Sequence, residues 1–228
     1  MTGAAYDETE TALRDELLLA TLPNIAFDGW SAEALRAGAA SAGQDWATAR
    51  RLFPEGVPEL VDHFADWADR QMLAGLATLD LDSMRVRDRI RTAVRLRLEI
   101  LAPHREAVRR SIAWFALPQN ASQGVRQLMR TVDRIWIAAG DVATDHNWYT
   151  KRGLLAGVVS ATTLYWLDDA SEDLGDSWGF LDRRLDDVMR VGRATSRIGG
   201  LGNLGRIARV LPSPARFLRQ FRRDMREA

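Results

Sequence analysis

The chain has 228 residues, 46% of them hydrophobic, with 31 basic and 31 acidic side chains. That apolar content is enough to bury a full core, and the lack of cysteine excludes disulfides, thiolate nucleophiles and cysteine-bound zinc. The neutral total hides an asymmetry: residues 190–228 hold ten arginines against Asp224 and Glu227, so residues 1–189 are acidic overall.

Apolar residues recur with a period near 3.6 along most of the chain, and no alternating strand pattern bounded by turn signals appears, so the sequence predicts an all-α protein. Helices are expected over 7–22, 31–41, 45–52, 56–79, 83–101, 103–116, 120–140, 146–168, 176–198, 201–211 and 213–226. Their ends follow Pro23, Gly29, Gly43, Pro54, Pro103, Pro118, Gly140, Gly175, Gly199-Gly200 and Pro212. The early helices are short and the later ones long. This predicts an N-terminal module over 1–79, a helical domain over 80–198 and a separate segment over 199–228.

Helices 31–41 and 45–52, joined around Ser41-Ala42-Gly43-Gln44, have the proportions of a helix-turn-helix, with Leu52-Phe53-Pro54 leading into a long fourth helix. The region resembles the DNA-binding module of TetR-type repressors, and a ligand-responsive transcriptional repressor is the alternative function. Charge argues against it: residues 24–70 hold eight acids and four bases, whereas duplex binding draws on neutralisation of phosphates. No nucleic-acid partner is therefore expected.

Glu59, His63 and Asp66 share one face of the fourth helix at a spacing that metal ligands can use, but with no second ligand cluster the expected reading is an exposed charged face. His104 follows Pro103 at a helix start and reads as a first-turn residue, no serine or cysteine sits at an elbow beside His146, and Asp168, Asp169, Glu172, Asp173 and Asp176 do not match calcium-loop spacing. The sequence predicts no catalytic residues, no metal and no cofactor.

The segment Asp145 to Gly153 places Trp148 and Arg152 four apart on one helix face, with Asp145 able to cap the helix or pair with Arg152. Gly153, Gly157 and Ala161 form a small-residue stripe compatible with close helix approach or a homodimer. The wider run Gly140-Asp141, Thr144-Asp145, Asn147-Trp148-Tyr149-Thr150-x-Arg152 and Asp176-x-Trp178-x-Phe180-Leu181-x-x-Arg184 resembles the C-terminal signature of the coenzyme Q (ubiquinone) biosynthesis accessory family, the Coq-nine proteins. Ala116-Leu117-Pro118-Gln119-Asn120 upstream also fits.

The resemblance implies a TetR-like helical bundle that catalyses no step itself, binds an isoprenoid lipid or quinone intermediate and assists the di-iron demethoxyubiquinone hydroxylase. It implies a docking patch of Asp145, Trp148, Tyr149 and Arg152, extended by Ile135 and Trp136, with Trp148 as an exposed anchor. The lipid is expected among the long apolar helices, lined by Leu96, Ile100, Trp114, Phe115, Leu128, Val132, Leu155, Val158 and Val159. Without an organelle-targeting extension, the expected location is cytoplasmic, peripheral on the inner face of the cytoplasmic membrane.

A C-terminal amphipathic helix completes the predicted architecture. Leu201, Leu204, Ile207 and Leu211 share a face, with Arg206 and Arg209 off it, and Phe217 and Phe221 continue an apolar stripe among further arginines. A basic helix of this kind suits an anionic membrane interface. Packing on the chain's own acidic body is the competing use of the same pattern.

Overall fold

The structure, a computed structural model, describes the backbone of residues 8–140 and 147–197 and the side chains of 8–140 and 151–190. Among these residues there are nine α-helices and no strand: α1 (Glu8–Asp28), α2 (Ala32–Ser41), α3 (Trp46–Leu52), α4 (Val57–Leu76), α5 (Val86–Leu101), α6 (Arg105–Phe115), α7 (Ala121–Ala138), α8 (Asn147–Asp168) and α9 (Gly175–Arg197). Short 3-10 turns at Leu81–Ser83, Ala102–His104 and Glu172–Leu174 join some of them. The predicted amphipathic segment from Leu201 onward lies outside the described residues.

Helix α1 runs through Pro23, where the sequence predicted an end. The proline ring is on the exposed side, and Leu17, Leu18, Thr21, Leu22 and Ile25 are buried on the other. Burial of that stripe outweighs the one backbone bond that proline removes. Helix α2 crosses α1 where Gly38 meets Thr21 so closely that a Cβ on Gly38 would stand 2.6 Å from the Thr21 Cα. Ser31 caps α2 and Asp45 caps α3, each accepting from a backbone N–H three residues on. Gly43, at φ +69°, turns the chain between α2 and α3.

The chain divides into two compact units, 1–186 and 187–228; in the second, residues 187–197 are described, as helix, with Arg190 3.7 Å from Asp187. The sequence-derived boundary at 79/80 falls inside the first unit. Contacts distant in sequence explain why. The Trp30 indole N–H donates to the Ala107 carbonyl (3.3 Å), its ring lies 5.5 Å from that of Phe64, and Trp67 packs edge-on against His104 (5.7 Å). Burial in this cluster pushes the His104 pKa below its ordinary value.

The fourth helix differs most from expectation. His63 is buried, and its Nε2 lies 2.8 Å from Asp15 of α1. Glu59 accepts from the buried Arg14 (2.9 Å), whose Nη1 also donates to the Leu52 carbonyl (2.7 Å). Asp62 binds Gln127 and Arg130, Asp66 binds Arg70 and Arg134, and Asp69 binds Arg97, Thr131 and Arg134. This face is therefore a buried and half-buried ionic ladder between α4 and α7, not a solvated surface. Among the described residues, no three His, Cys, Asp or Glu side chains are grouped to hold a metal.

Asp15 gives this core a pH dependence. Burial raises its pKa, but hydrogen bonds and charge from His63 and Arg70 outweigh that effect and lower it from 3.8 to about 2. A carboxyl with a depressed folded pKa stabilises above its unfolded pKa and loses that contribution as pH falls through the folded value, here between about 4 and about 2. Asp15→Asn should therefore cost about 2 kcal/mol at neutral pH, and urea midpoints of variant and parent should converge as acid is added through that window. A difference that stays constant from neutral pH to pH 2 would show that the Asp15 carboxylate has no such role.

Candidate docking site at the joint of helices seven and eight

Helix α7 buries Thr131, Val132, Ile135, Trp136 and Ala139 on one face. Its opposite side turns Asp133 and Ile137 outward, and the Ile137 side chain is 67% exposed. The helix ends at Ala138, and Gly140 two residues on takes φ +86°, where a Cβ would come 3.0 Å from Arg89 Nη1. That guanidinium donates to the Ala139 carbonyl at 3.3 Å and so closes the C-terminal turn.

Helix α8 starts at Asn147 and buries Leu154, Leu155, Val158, Val159, Thr162, Trp166 and Leu167. In its first turns Arg152 is buried, with 4% exposure, and its Nε donates to Asp133 of α7. A guanidinium taken out of water this far needs a carboxylate to offset its desolvation. The pair pins the start of α8 against α7. The Lys151 ammonium lies 5.8 Å from the centre of the Trp136 ring, a second tie between the same turns.

These positions sort the expected patch. Ile135 (0% exposed) and Trp136 (8%) are buried in the packed face of α7 and offer no docking surface. Arg152 likewise holds the joint from inside, and its described carboxylate partner is Asp133. Asp145 and the side chains of Trp148 and Tyr149 lie outside the described residues. Ile137 was absent from the expected patch; its outward direction follows once Val132, Ile135 and Trp136 define the buried face of α7.

The nine side chains expected to line a lipid cavity are distributed over several packings. Val132, Leu155, Val158 and Val159 are buried on α7 and α8, whereas Leu96, Ile100, Trp114, Phe115 and Leu128 are half-buried. Leu96 packs on Gly75 of α4, and Phe115 on Gly124 of α7. A cavity of about 180 Å³ opens elsewhere, between α2, α3 and the turn before α4, bordered by Leu35, Trp46, Phe53 and Val57. It is smaller than a pocket of roughly 300–1,000 Å³ for a drug-sized ligand.

Few cations remain on the helix-turn-helix face. Arg70 is held by Asp15 and Asp66, Arg51 lies 3.3 Å from Glu10, and Arg36 sits over the Trp46 ring at 4.6 Å. The acids are offset too: Asp62, Asp66 and Asp69 are matched by arginines of α5 and α7, which a count over residues 24–70 leaves out.

A model of the COQ9 family matches residues 121–192, which include α7, α8 and most of α9. The chain is 35% identical to the ubiquinone biosynthesis protein COQ9, mitochondrial, of Rattus norvegicus, over 86% of this chain and 64% of the rat protein. For the human protein of the same name the identity is 34%, over 86% of this chain and 63% of its length, and for COQ9-B of Xenopus laevis 32%, over 86% and 69%. The chain belongs to the COQ9 family. It spans about 64% of the rat relative's length. A TetR transcriptional regulator from Nitrosomonas europaea aligns with TM-score 0.66 and 23% identity, over 78% of this chain and 98% of the regulator. That likeness establishes the TetR-like, all-α fold. The family members also overturn one expectation: the rat, human and bovine proteins are mitochondrial by name, which contradicts a cytoplasmic protein on the inner face of the cytoplasmic membrane.

Proposed function

We propose that this protein serves ubiquinone biosynthesis as a non-catalytic accessory that binds an isoprenoid quinone precursor and presents it to the di-iron demethoxyubiquinone hydroxylase. The observation that carries this reading is a coincidence of two stretches: the family match over 121–192 covers the joint that the Asp133–Arg152 pair holds together. The hydroxylase docks on the first turn of α8 through Trp148 and Tyr149, with Asp145 beside them and Ile137 of α7 as a further apolar anchor. Rigid aromatic and apolar anchors at the centre of a patch dominate interface energies.

Lipid contacts Val132, Leu155, Val158 and Val159 of α7 and α8, and Leu96, Ile100, Trp114, Phe115 and Leu128 of α5, α6 and α7. The amphipathic pattern of Leu201, Leu204, Ile207, Leu211, Phe217 and Phe221, with Arg206 and Arg209, supports attachment to a lipid surface. The Gly153/Gly157 stripe supports a homodimer.

One preparation tests the reading. The purified full chain should release an isoprenoid lipid or quinone on extraction and mass spectrometry, and should co-elute with the hydroxylase. Trp148→Lys and Ile137→Lys should each weaken that association by tenfold or more, about 1.4 kcal/mol, with an unchanged helical spectrum. Repeated lipid-free preparations would remove the presentation role, and undiminished association of both variants would move the docking face elsewhere.

A further inference from the structure

We propose that the tip of the α6–α7 hairpin inserts into an anionic lipid surface, as a contact separate from the basic segment over 199–228. Its apolar side chains face water. Leu117 in the turn is 44% exposed, Val125 on the first turns of α7 62% and Ile112 on α6 36%. The turn is built to hold them there: the Asn120 amide side chain donates to the Trp114 carbonyl (3.1 Å), its backbone N–H donates to the Leu117 carbonyl (2.9 Å), and Phe115 packs against Gly124. A preformed tip loses little ordering entropy on insertion.

Charge selects the occupant. Between Glu106 and Asp133 the sequence contains no acid, although the whole chain has 31, and Arg109, Arg110, Arg126 and Arg130 fall in that interval. Arg130 is held by Asp62. Arg109 and Arg110 lie at the base of the hairpin in exposed pairs with Asp168 and Glu106, which contribute little in water. Arg126, next to Val125, is exposed and has no bonding partner among the described residues. An apolar tip with the exposed Arg126 beside it, and carboxylates only in pairs with the arginines further along the hairpin, matches a bilayer whose headgroups carry negative charge. A second copy of the chain or another protein would more typically meet a broader patch with its own hydrogen-bonding rim.

The natural chain has no cysteine, so one can be placed and labelled alone. In the full chain, Leu117→Cys carrying an environment-sensitive nitrobenzoxadiazole dye should shift to the blue on addition of phosphatidylcholine vesicles containing phosphatidylglycerol. Bilayer-borne quenchers should reach it, and pure phosphatidylcholine should have little effect. The same dye at Gln71→Cys, on exposed α4 surface, should not respond. Arg126→Glu should lower partitioning onto the anionic vesicles by on the order of tenfold, with helicity unchanged. A Leu117 label that stays in water while the chain is vesicle-bound would overturn the proposal, as would a full chain that ignores anionic vesicles. A blue shift without vesicles that grows with protein concentration would assign the tip to a second copy, and an equal response at Gln71 would show loss of structure at the surface. None of these outcomes depends on the hydroxylase, so docking on α8 stands or falls separately.

Discussion

Asp69→Ala is expected to remove about 3–5 kcal/mol of folding stability, the range for breaking one side of a buried ion pair. The Asp69 carboxylate is fully buried, with Arg97 Nε at 2.7 Å, Arg134 Nη1 at 3.3 Å and Thr131 Oγ1 at 2.9 Å from its oxygens. Its removal leaves Arg97 without its counter-ion, Arg134 with Asp66 alone, and a hydroxyl without its acceptor. Asp69→Asn should cost less, since an amide oxygen still accepts from Thr131 or Arg97, but it removes the charge that Arg97 is paired with. Urea unfolding followed by helical circular dichroism measures both. A loss below about 0.5 kcal/mol for Asp69→Ala, the size of an ordinary surface change, would show that these charges are hydrated in solution.

Gly38→Val is the second large effect. A Cβ at residue 38 would stand 2.1 Å from Thr21 Oγ1, 2.6 Å from Thr21 Cα and 2.8 Å from Thr21 Cβ. No rotamer change relieves a clash with backbone, so α1 and α2 must separate. Overpacking of this kind costs roughly 1–3 kcal/mol, and two further methyl groups place valine at or above the upper end. The distances also predict an incomplete rescue. Thr21→Ala removes the hydroxyl but leaves Cα and Cβ in place, so the double variant should recover only part of the loss in a double-mutant cycle. Full recovery would mean that the hydroxyl alone sets the spacing.

How much of this was legible in the sequence depended on how far apart the deciding residues lie. Helix periodicity is local, so the order of helices and the all-α class were readable from the apolar stripes. Pro23 misled because the rule it obeys is local, while the burial of Leu22 and Ile25 that carries α1 past it comes from other helices. The fourth helix was misread for the same reason: the partners of Asp62, Asp66 and Asp69 on α7 are 62 to 68 residues away in sequence. At the joint of α7 and α8, four-residue spacing pointed to Arg152, but Asp133 is 19 residues earlier on another helix. Ile137 becomes visible only when the packed face of α7 is known.

The ladder between α4 and α7 also acts as an alignment key. Apolar helix faces tolerate sliding by a turn, about 5.4 Å, because one leucine can replace another in a groove. Charged rungs do not permit that exchange: a slip of one turn would carry Thr131 and Arg134 away from Asp69 and leave the fully buried carboxylate with Arg97 of α5 alone. Since Asp133 on the same helix holds Arg152, the ladder indexes the start of α8 to the helix-turn-helix module at the other end of α4. Any motion that carries the α7–α8 joint should therefore move α4 and α7 as one piece, with the hinge placed outside them.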